Sequence, residues 1–205
     1  MSNIPHRKER EKQQHYEEIL AAAEKLFSEK GFHRTTVEEV AELAEFSVGS
    51  LYNFFPGKEQ LYQSLIQQRC QMLADEVDAA LKTIGDPVKA IRAYIELKTQ
   101  LCYKYESFVR LYARERLGDR FANNELWREI VAPVYEKVLG GLAEIFRSGI
   151  KQGCFRADLD PVDMTIALDG LTDGFLYAWL EYPEKSSFRD KLETMIRLFF
   201  YGVQP

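Results

Sequence analysis

The 205 residues carry a formal net charge of −5 and are 46% hydrophobic, which is enough apolar material for a packed core in one or two domains. No apolar stretch approaches the roughly 18 residues that a membrane-spanning helix needs, and no basic start leads into an apolar run, so we expect a soluble cytoplasmic protein without a membrane partner. Three scattered cysteines, Cys70, Cys102 and Cys154, without a C-x-x-C spacing argue against a disulfide framework or a zinc site.

The N-terminal segment combines a basic arm with an apolar helical stripe. The arm carries Arg7, Lys8, Arg10 and Lys12. The stripe that follows predicts a first helix ending near Gly31, and it consists of Ile19, Leu20, Ala23, Leu26 and Phe27. Residues 1–58 contain eight Lys or Arg and ten Asp or Glu, so any phosphate contacts must come from local cations rather than from bulk charge.

A short second helix begins after Thr36. Thr36 can cap this helix, and Glu39 three residues later completes a capping box. Apolar residues then recur at helical spacing on one face: Val37, Val40, Ala41 and Ala44. The pattern predicts a helix of about two turns.

Ser47 caps a third helix, which ends at Pro56-Gly57. Its predicted apolar stripe consists of Val48, Leu51, Tyr52 and Phe55, and its opposite side carries Gly49, Ser50 and Asn53. A short helix that is anchored by one face and presents a nearly flat, hydrogen-bonding face on the other side is what the DNA major groove admits. Because helix pairs of this kind also occur as plain structural elements in all-α proteins, the motif alone is only moderately specific.

The spacing from Thr36 to Leu61 resembles the DNA-binding motif of the TetR family of bacterial regulators, T-x-x-x-I/V-A-x-x-A-G-V-S-x-G-x-x-Y-x-H-F-x-x-K-E-x-L. The matching residues are Thr36, Val40, Ala41, Ala44, Ser47, Gly49, Tyr52, Phe55, Lys58, Glu59 and Leu61. Three positions depart from the pattern: Glu45 replaces the turn glycine, Phe46 replaces valine, and Phe54 replaces histidine. Glu45 brings a Cβ into the turn, which matters if that position needs a positive φ.

The resemblance implies an all-α fold of about nine helices in two domains. Residues 1–58 would form a three-helix helix-turn-helix DNA-binding domain, and residues 59–205 a helical ligand-binding and dimerisation domain. It also implies a homodimer on double-stranded DNA, at a palindromic operator. We expect Thr36, Tyr52 and Lys58 to contact phosphates, and Val48, Gly49, Ser50 and Asn53 to read bases beside the capping Ser47.

Beyond Lys58 the pattern is helical to the end. A long fourth helix stops at Gly85-Asp86-Pro87, and further helices are predicted near 88–104, 107–116, 124–150, 161–181 and 188–201. Pro133 should kink the helix near 124–150. The loop from Gly149 to Pro161, G-I-K-Q-G-C-F-R-A-D-L-D-P, is again similar to the TetR family, where such a loop leads into the last two helices.

The last two predicted helices are the expected dimer interface, mainly because of the family resemblance. The residues assigned to it are Leu168, Leu171, Phe175, Ile196 and Phe199. Gly170 and Gly174 lie one turn apart and allow close helix approach, although such glycines often only lower helix stability.

Polar-tipped aromatics in the second domain predict a pocket for a small, mainly apolar or amphipathic ligand. The candidate residues are Tyr94, Tyr103, Phe108, Tyr112, Trp127, Tyr135 and Phe175. Arg110, Arg114, Glu115 and Arg116 add charge that could recognise an anionic head group, although such charges are more often solvated. Aromatic residues at helical spacing are also more often core than ligand contacts, so both readings stay open.

No catalytic set is evident, because His6, His15 and His33 all lie near the N-terminus and no phosphate loop, nucleophile elbow or E-x-x-H pair occurs. We therefore expect no enzyme activity, no cofactor and no metal. The sequence favours a ligand-responsive transcriptional regulator, most simply a repressor that a small ligand releases from its operator. The alternative is a DNA-binding architectural or division-type factor of the same fold without a small-molecule inducer.

Overall fold

A computed structural model describes residues 4–117, 127–185 and 187–205 of this chain. These residues form nine α-helices, as the all-α prediction requires. The helices are α1 (Ile4–Lys30), α2 (Val37–Leu43), α3 (Val48–Phe54), α4 (Lys58–Leu81), α5 (Pro87–Lys104), α6 (Glu106–Leu117), α7 (Ala132–Lys151), α8 (Pro161–Glu181) and α9 (Leu192–Val203). A π-helical turn (Trp127–Val131) precedes α7, and a 3₁₀ turn (Arg189–Lys191) precedes α9.

Helices α5 and α8 begin where Asp-Pro pairs occur in the sequence. Asp86 Oδ1 accepts a hydrogen bond of 3.0 Å from the Lys89 amide, and Asp160 Oδ1 accepts one of 2.7 Å from the Val162 amide. In each case a proline occupies the first helical position, where its missing N–H costs nothing. These caps explain why the predicted starts of both helices fall within one residue of the observed ones.

The predicted helix near 124–150 is not one regular α-helix in its described part. The backbone is π-helical over Trp127–Val131 and becomes α-helical at Ala132, one residue before Pro133. A π-turn is one of the ways in which a helix accommodates the hydrogen bond that a proline cannot make. Pro133 therefore lies at the start of α7, where it is tolerated.

The chain divides into two compact units. The first comprises the chain up to Arg69 together with the segment that begins at Ser107. Its core includes buried side chains from α1 to α4, among them Leu20, Phe27, Val40, Leu51 and Leu65. Hydrophobic burial of this kind fixes the short helices α2 and α3, because seven-residue helices are not stable alone.

The second unit comprises Cys70–Glu106 and the chain from Trp127 onward. Phe146 of α7 lies at the centre of its core, with ring centroids 5.2 Å from Phe155 and 5.8 Å from Phe199. Phe155 belongs to the loop before α8, and its ring occupies the space beside Gly149, where a Cβ would come within 2.2 Å of it. The loop is therefore held by an inserted aromatic ring that requires glycine opposite it.

Candidate nucleic-acid interface

The start of α2 has the predicted capping box. Thr36 Oγ1 accepts a hydrogen bond of 3.2 Å from the Glu39 amide, while the Glu39 carboxylate accepts one of 3.0 Å from the Thr36 amide. Lys30 Nζ lies 2.7 Å from the same carboxylate, and this hydrogen bond, followed by that of Thr36, lowers the pKa of Glu39. The Thr36 side chain is exposed at the helix N-terminus, where backbone amides favour an anion.

The turn between α2 and α3 is closed by Glu45 in a left-handed conformation, with φ of 61°. The Phe46 amide donates to Ala41 O at 2.9 Å and the Glu45 amide to Glu42 O at 3.1 Å, which is the Schellman pattern at a helix end. The position thus has the positive φ that glycine normally supplies, and Glu45 adopts it despite its Cβ. The strain of a non-glycine residue here is about 1–2 kcal/mol.

Helix α3 is capped and anchored on one side only. Ser47 Oγ accepts a hydrogen bond of 3.1 Å from the Ser50 amide, and Leu51 and Phe55 are buried. The residues exposed on its free side are Gly49, Tyr52 and Asn53, while Val48 and Ser50 are half-buried. These three exposed positions are spaced i, i+3 and i+4, so they share one face.

Tyr52 lies outside the buried stripe in which the sequence pattern had placed it. Its side chain is 46% exposed. The apolar anchor of α3 therefore consists of Leu51 and Phe55, with Val48 contributing from a half-buried position. Tyr52 is therefore exposed beside Asn53.

Aromatic contacts fix α3 against α1. The His15 ring lies 5.1 Å from Phe46 and 6.5 Å from Phe54, both in edge-on geometry, and Tyr16 lies 4.9 Å from Phe55. Phe46 and Phe54 are two of the three departures from the family pattern. Phe54, which stands where the pattern has histidine, contacts His15 of α1.

The predicted basic arm is part of α1, which begins at Ile4. Lys8 and Lys12 are exposed, and Arg7 pairs with Glu11 at 2.7 Å. At a rise of about 1.5 Å per residue, Lys8 lies about 10 Å along the helix axis from His15, which is beside α3. The basic residues of α1 therefore lie on the turns of that helix that precede its contact with α3.

Lys58 is placed differently from the phosphate contact that the sequence suggested. Its ammonium donates to the carbonyls of Phe32 at 3.0 Å, Thr35 at 3.0 Å and His33 at 3.5 Å, and it lies 4.6 Å from the centroid of the Phe32 ring. An ammonium has three N–H donors, so these carbonyls use all of them. In this geometry Lys58 holds the loop between α1 and α2, and thereby the start of α2, rather than offering a donor to DNA.

We predict that Lys58→Ala destabilises the protein by about 2 kcal/mol, because it removes charge-assisted hydrogen bonds from three loop carbonyls. Affinity for any DNA should fall with it, but the slope of log affinity against log salt should stay unchanged. Urea unfolding and a salt series on operator and random duplexes measure both effects. Lys25→Ala, at an exposed position of α1, is the control for stability. If Lys58→Ala instead keeps full stability and lowers the salt slope by about 0.9, Lys58 contacts a phosphate.

The aromatics predicted to bind a ligand are divided between the two units. Phe108 and Tyr112 belong to the first unit, and the side chain of Trp127 lies outside the described residues, as do those of Glu115 and Arg116. The Tyr103 hydroxyl is hydrogen-bonded to Ser187 Oγ at 2.8 Å, and its ring centroid lies 4.7 Å from that of Trp179 in a tilted arrangement. Phe175 is half-buried, and Arg110 is also only partly exposed. Arg114 donates to Ser28 O at 2.8 Å.

Tyr135 instead belongs to a buried ion cluster, which we define as Lys98, Asp169, Thr172, Asp173 and Tyr135, and Tyr94 lies beside it. Lys98 Nζ lies 3.0 Å from Asp169 Oδ1, 2.8 Å from Thr172 Oγ1 and 2.9 Å from Asp173 Oδ1. The Tyr135 hydroxyl donates to the other oxygen of Asp169. Burial raises the pKa of Tyr94, which lies beside the cluster. Sequence reasoning missed Lys98, although two aspartates one turn apart on an apolar helix were a signal.

Three of the five predicted interface residues face the core of their own protomer. Leu168 is 0% exposed, Ile196 2% and Phe199 5%, whereas Leu171 and Phe175 are half-buried. The large apolar residues exposed on the same helices are Val162, Ile166, Leu198 and Tyr201, with exposures of 47%, 57%, 55% and 78%. Because α8 is apolar on more than one side, the stripe alone could not separate core from surface.

Neither a metal site nor a membrane span is found in the part of the chain that the structure describes. Its His, Cys, Asp and Glu side chains form no group of three that could hold a metal ion. Its helices include none that is both long and apolar enough to cross a bilayer. Burial raises the pKa of Cys70 and of Cys102 to about 12, which makes both thiols unreactive.

Both halves of the chain match known families. Residues 19–65 match the family described as bacterial regulatory proteins, tetR family, and residues 87–177 match the one described as tetracyclin repressor-like, C-terminal domain. The chain is 30% identical over 199 residues to the HTH-type transcriptional regulator RutR of Escherichia coli, covering 91% of this chain and 89% of RutR.

Two further similarities cover less of the chain or have a lower sequence identity. The nucleoid occlusion factor SlmA of Haemophilus ducreyi is 28% identical over 123 residues, which cover 60% of this chain and 59% of SlmA. The solved structure of the transcriptional regulator FadR from Bacillus subtilis in complex with stearoyl-CoA has a TM-score of 0.80 at 21% identity, covering 91% of this chain and 98% of that chain. At that identity the likeness concerns the fold.

Proposed function

The chain belongs to the TetR family of bacterial regulatory proteins, and from this membership we propose that it is a homodimeric repressor released from its operator by a small ligand. DNA binding and transcriptional regulation are properties of the family. The repressor role, the ligand and the residues that act are our proposals, as is the assignment of DNA binding to residues 1–58 and of ligand binding and dimerisation to residues 59–205.

The observation that carries the DNA-binding part is the one-sided anchoring of α3. Gly49, Tyr52 and Asn53 are exposed together, while Leu51 and Phe55 hold the helix in the first unit. A helix of this kind enters the major groove with its free face against base edges. We propose that Asn53, with Val48, Gly49 and Ser50, reads bases, and that Thr36, Ser47 and Tyr52 contact the backbone.

Phosphate contacts are also proposed for the basic N-terminal turns of α1. Residues 17–58 contain four basic and eight acidic residues, so the four cations of residues 7–12 are the main local source of positive charge. Lys30 is paired with Glu39, and Lys58 is bonded to carbonyls. A single unit with so few available cations binds DNA weakly, which favours a dimer on two half-sites and hence a palindromic operator.

The dimer is proposed to form through the outer α8–α9 face, which we define as Ile166, Gly170, Gly174, Leu198 and Tyr201. These residues are exposed on the protomer, and a Cβ at either glycine would meet nothing within 4 Å. A two-fold axis places the same patch of each protomer against itself. The small residues let two α8 helices approach closely, while the larger apolar side chains lose their contact with water.

Repression and release follow from binding equilibria. A dimer seated on promoter DNA excludes other proteins from the same base pairs. A ligand releases it only if the ligand binds the DNA-incompetent state more tightly, since equal affinity for both states shifts nothing. The ligand-bound FadR structure supports this part of the proposal, because it has the same fold.

The reading role is tested by comparing two single variants. Asn53→Ala should weaken binding to the operator by about 10-fold or more while leaving random DNA unaffected, because only base contacts are lost. Lys8→Ala should weaken both equally and lower the salt slope by about 0.9, because it removes one phosphate contact. The operator is first isolated by enrichment of genomic fragments on the purified protein. Unchanged operator affinity in Asn53→Ala would reject α3 as the reader.

A second candidate function is a DNA-binding architectural or division-type factor without an inducer, which the similarity to SlmA favours. The enrichment experiment separates the two functions. A repressor should select few sites, next to promoters, and an architectural factor should select many sites across the chromosome.

A further inference from the structure

The second unit contains a groove between the C-terminal half of α4 and the middle of α7. Its volume is about 190 Å³, and it is open to solvent on one side. The residues that line it are Ala74, Val77, Asp78 and Leu81 of α4, Lys82 in the turn after α4, and Lys137, Val138, Gly141 and Ile145 of α7. We call it the α4–α7 groove. None of the aromatics predicted as ligand contacts belongs to its lining.

The floor of the groove is aliphatic and incompletely buried. Val77 and Leu81 on one side and Val138 and Ile145 on the other are half-buried, so they keep apolar surface in contact with water. An apolar occupant would remove that surface from water at about 25 cal/mol for each Å² buried. The groove is small, with space for about six water molecules. It therefore suits a short aliphatic chain rather than a large ring system.

Gly141 keeps the groove open. A Cβ at this position would meet nothing within 4 Å, so no packing constraint excludes a side chain. Glycine in a helix interior costs about 1 kcal/mol relative to alanine. Because Gly141 lines the groove, we expect a larger side chain at this position to take up part of its space. Gly140, the next residue, has equally open space but lies outside the lining.

The charged residues at the rim of the groove indicate which polar group of a ligand it would bind. Lys82 Nζ already has a carboxylate partner in Asp78, at 2.6 Å. Lys137 is exposed, and within the described ranges no carboxylate lies at ion-pair distance from its ammonium. An aliphatic floor with an available ammonium at its edge matches a molecule with an apolar chain and a negative end.

We propose that the α4–α7 groove binds a medium-chain aliphatic carboxylate, with its chain on the Val77, Leu81 and Ile145 floor and its carboxylate at Lys137. Only the regulatory effect of the occupant rests on the proposed function, since a ligand-released regulator needs such a site. Binding itself is independent of DNA. Helix α4 also begins at Lys58, which bonds to the loop before α2, so an occupant of the groove contacts a helix that is tied to the DNA-binding motif.

The test uses calorimetry of the full chain with octanoate, and with octanol and octylamine as matched neutral and cationic probes. Wild type should bind octanoate at least 10-fold more tightly than either of the other probes. Gly141→Leu, which fills the groove, should lose at least 10-fold in octanoate affinity. Gly140→Leu is the matched control and should bind like wild type. Lys137→Gln should abolish the preference for octanoate over octanol.

Several results would overturn the site. They are preference for octylamine, undiminished octanoate binding by Gly141→Leu, or a preference for octanoate that survives in Lys137→Gln. Absence of binding by all three probes would overturn it as well. If Gly141→Leu does not fold, Lys137→Gln decides. Operator release is measured separately. If octanoate binds in the groove but does not release the operator, the site stands and the ligand-released repressor is rejected. If another ligand releases the operator from wild type and from Gly141→Leu equally, the ligand-released repressor stands and the groove is rejected as its ligand site.

Discussion

Lys98→Met should lower the free energy of unfolding by about 3–5 kcal/mol, the largest effect that we expect from a single substitution in the second unit. Lys98 is 17% exposed, and Asp169 and Asp173, its carboxylate partners, are 9% and 12% exposed. Removing the ammonium leaves those carboxylates inside the protein without their bonded cation. Urea unfolding at a fixed protomer concentration measures the loss, because the stability of an oligomer depends on concentration.

The matched control is Lys89→Met, an exposed lysine on the same helix, which should change stability by less than about 0.5 kcal/mol. Neutralising the partners together, in Lys98→Met with Asp169→Asn and Asp173→Asn, should recover part of the loss, because no unpaired ion remains. A small loss in Lys98→Met, equal to that of the control, would show that the cluster does not need its cation.

The pKa of Lys98 determines how its contribution to stability changes with pH. Burial opposes the charge on Lys98, but Tyr94, Asp173 and Asp169 outweigh it and hold the pKa of Lys98 well above its ordinary value. A raised pKa stabilises the fold fully below the ordinary lysine pKa, and the contribution is lost as pH rises through the raised value. The difference between wild type and Lys98→Met should therefore stay constant from pH 6 to pH 9 and shrink only in strongly alkaline solution.

Ile166→Asp should yield a folded monomer that binds the operator at least about 100-fold more weakly, because operator affinity depends on two half-sites held together. Ile166 is 57% exposed on the protomer, so the change costs the isolated protomer little. In the proposed dimer it places a charge in a desolvated contact on both protomers at once. Sedimentation gives the oligomeric state, and circular dichroism shows that the protomer is folded.

Leu168→Ala provides the contrast, only two positions away. Leu168 is 0% exposed, so its truncation should cost about 2–5 kcal/mol of protomer stability without specifically dissociating the dimer. If Ile166→Asp remains dimeric at micromolar concentration, the outer α8–α9 face is not the interface.

Sequence reasoning located the helices well where local chemistry determines their ends. The capping box at Thr36, the cap at Ser47 and the Asp-Pro pairs at Asp86 and Asp160 each depend on neighbours within a few residues, so the sequence contains all the information they need. The motif from Thr36 to Leu61 also carried the family assignment, which is confirmed.

The sequence did not reveal contacts between residues that are distant in the chain. Lys58 bonds to carbonyls 23 to 26 residues earlier, and nothing in its local sequence distinguishes that contact from a phosphate contact. Lys98 bonds to Asp169 and Asp173, more than 70 residues later, although charged residues are usually solvated. Leu168 was assigned to the interface because an apolar stripe in a sequence does not show whether it packs in the core or against a second protomer. The aliphatic lining of the groove resembles ordinary core for the same reason.

The central turns of α8 keep few residues in contact with solvent once the proposed dimer forms. Asp169 and Asp173 are committed to Lys98, Met164 and Leu168 to the core, and Ile166 to the partner. The tolerance of substitution should therefore be low from Met164 to Asp173, unlike that of the exposed first turns of α1. In a library of all single substitutions selected for repression, substitutions at the buried and dimer-facing positions of α8 should be depleted. Relatives that diverge in sequence should then change α8 mainly through paired replacements.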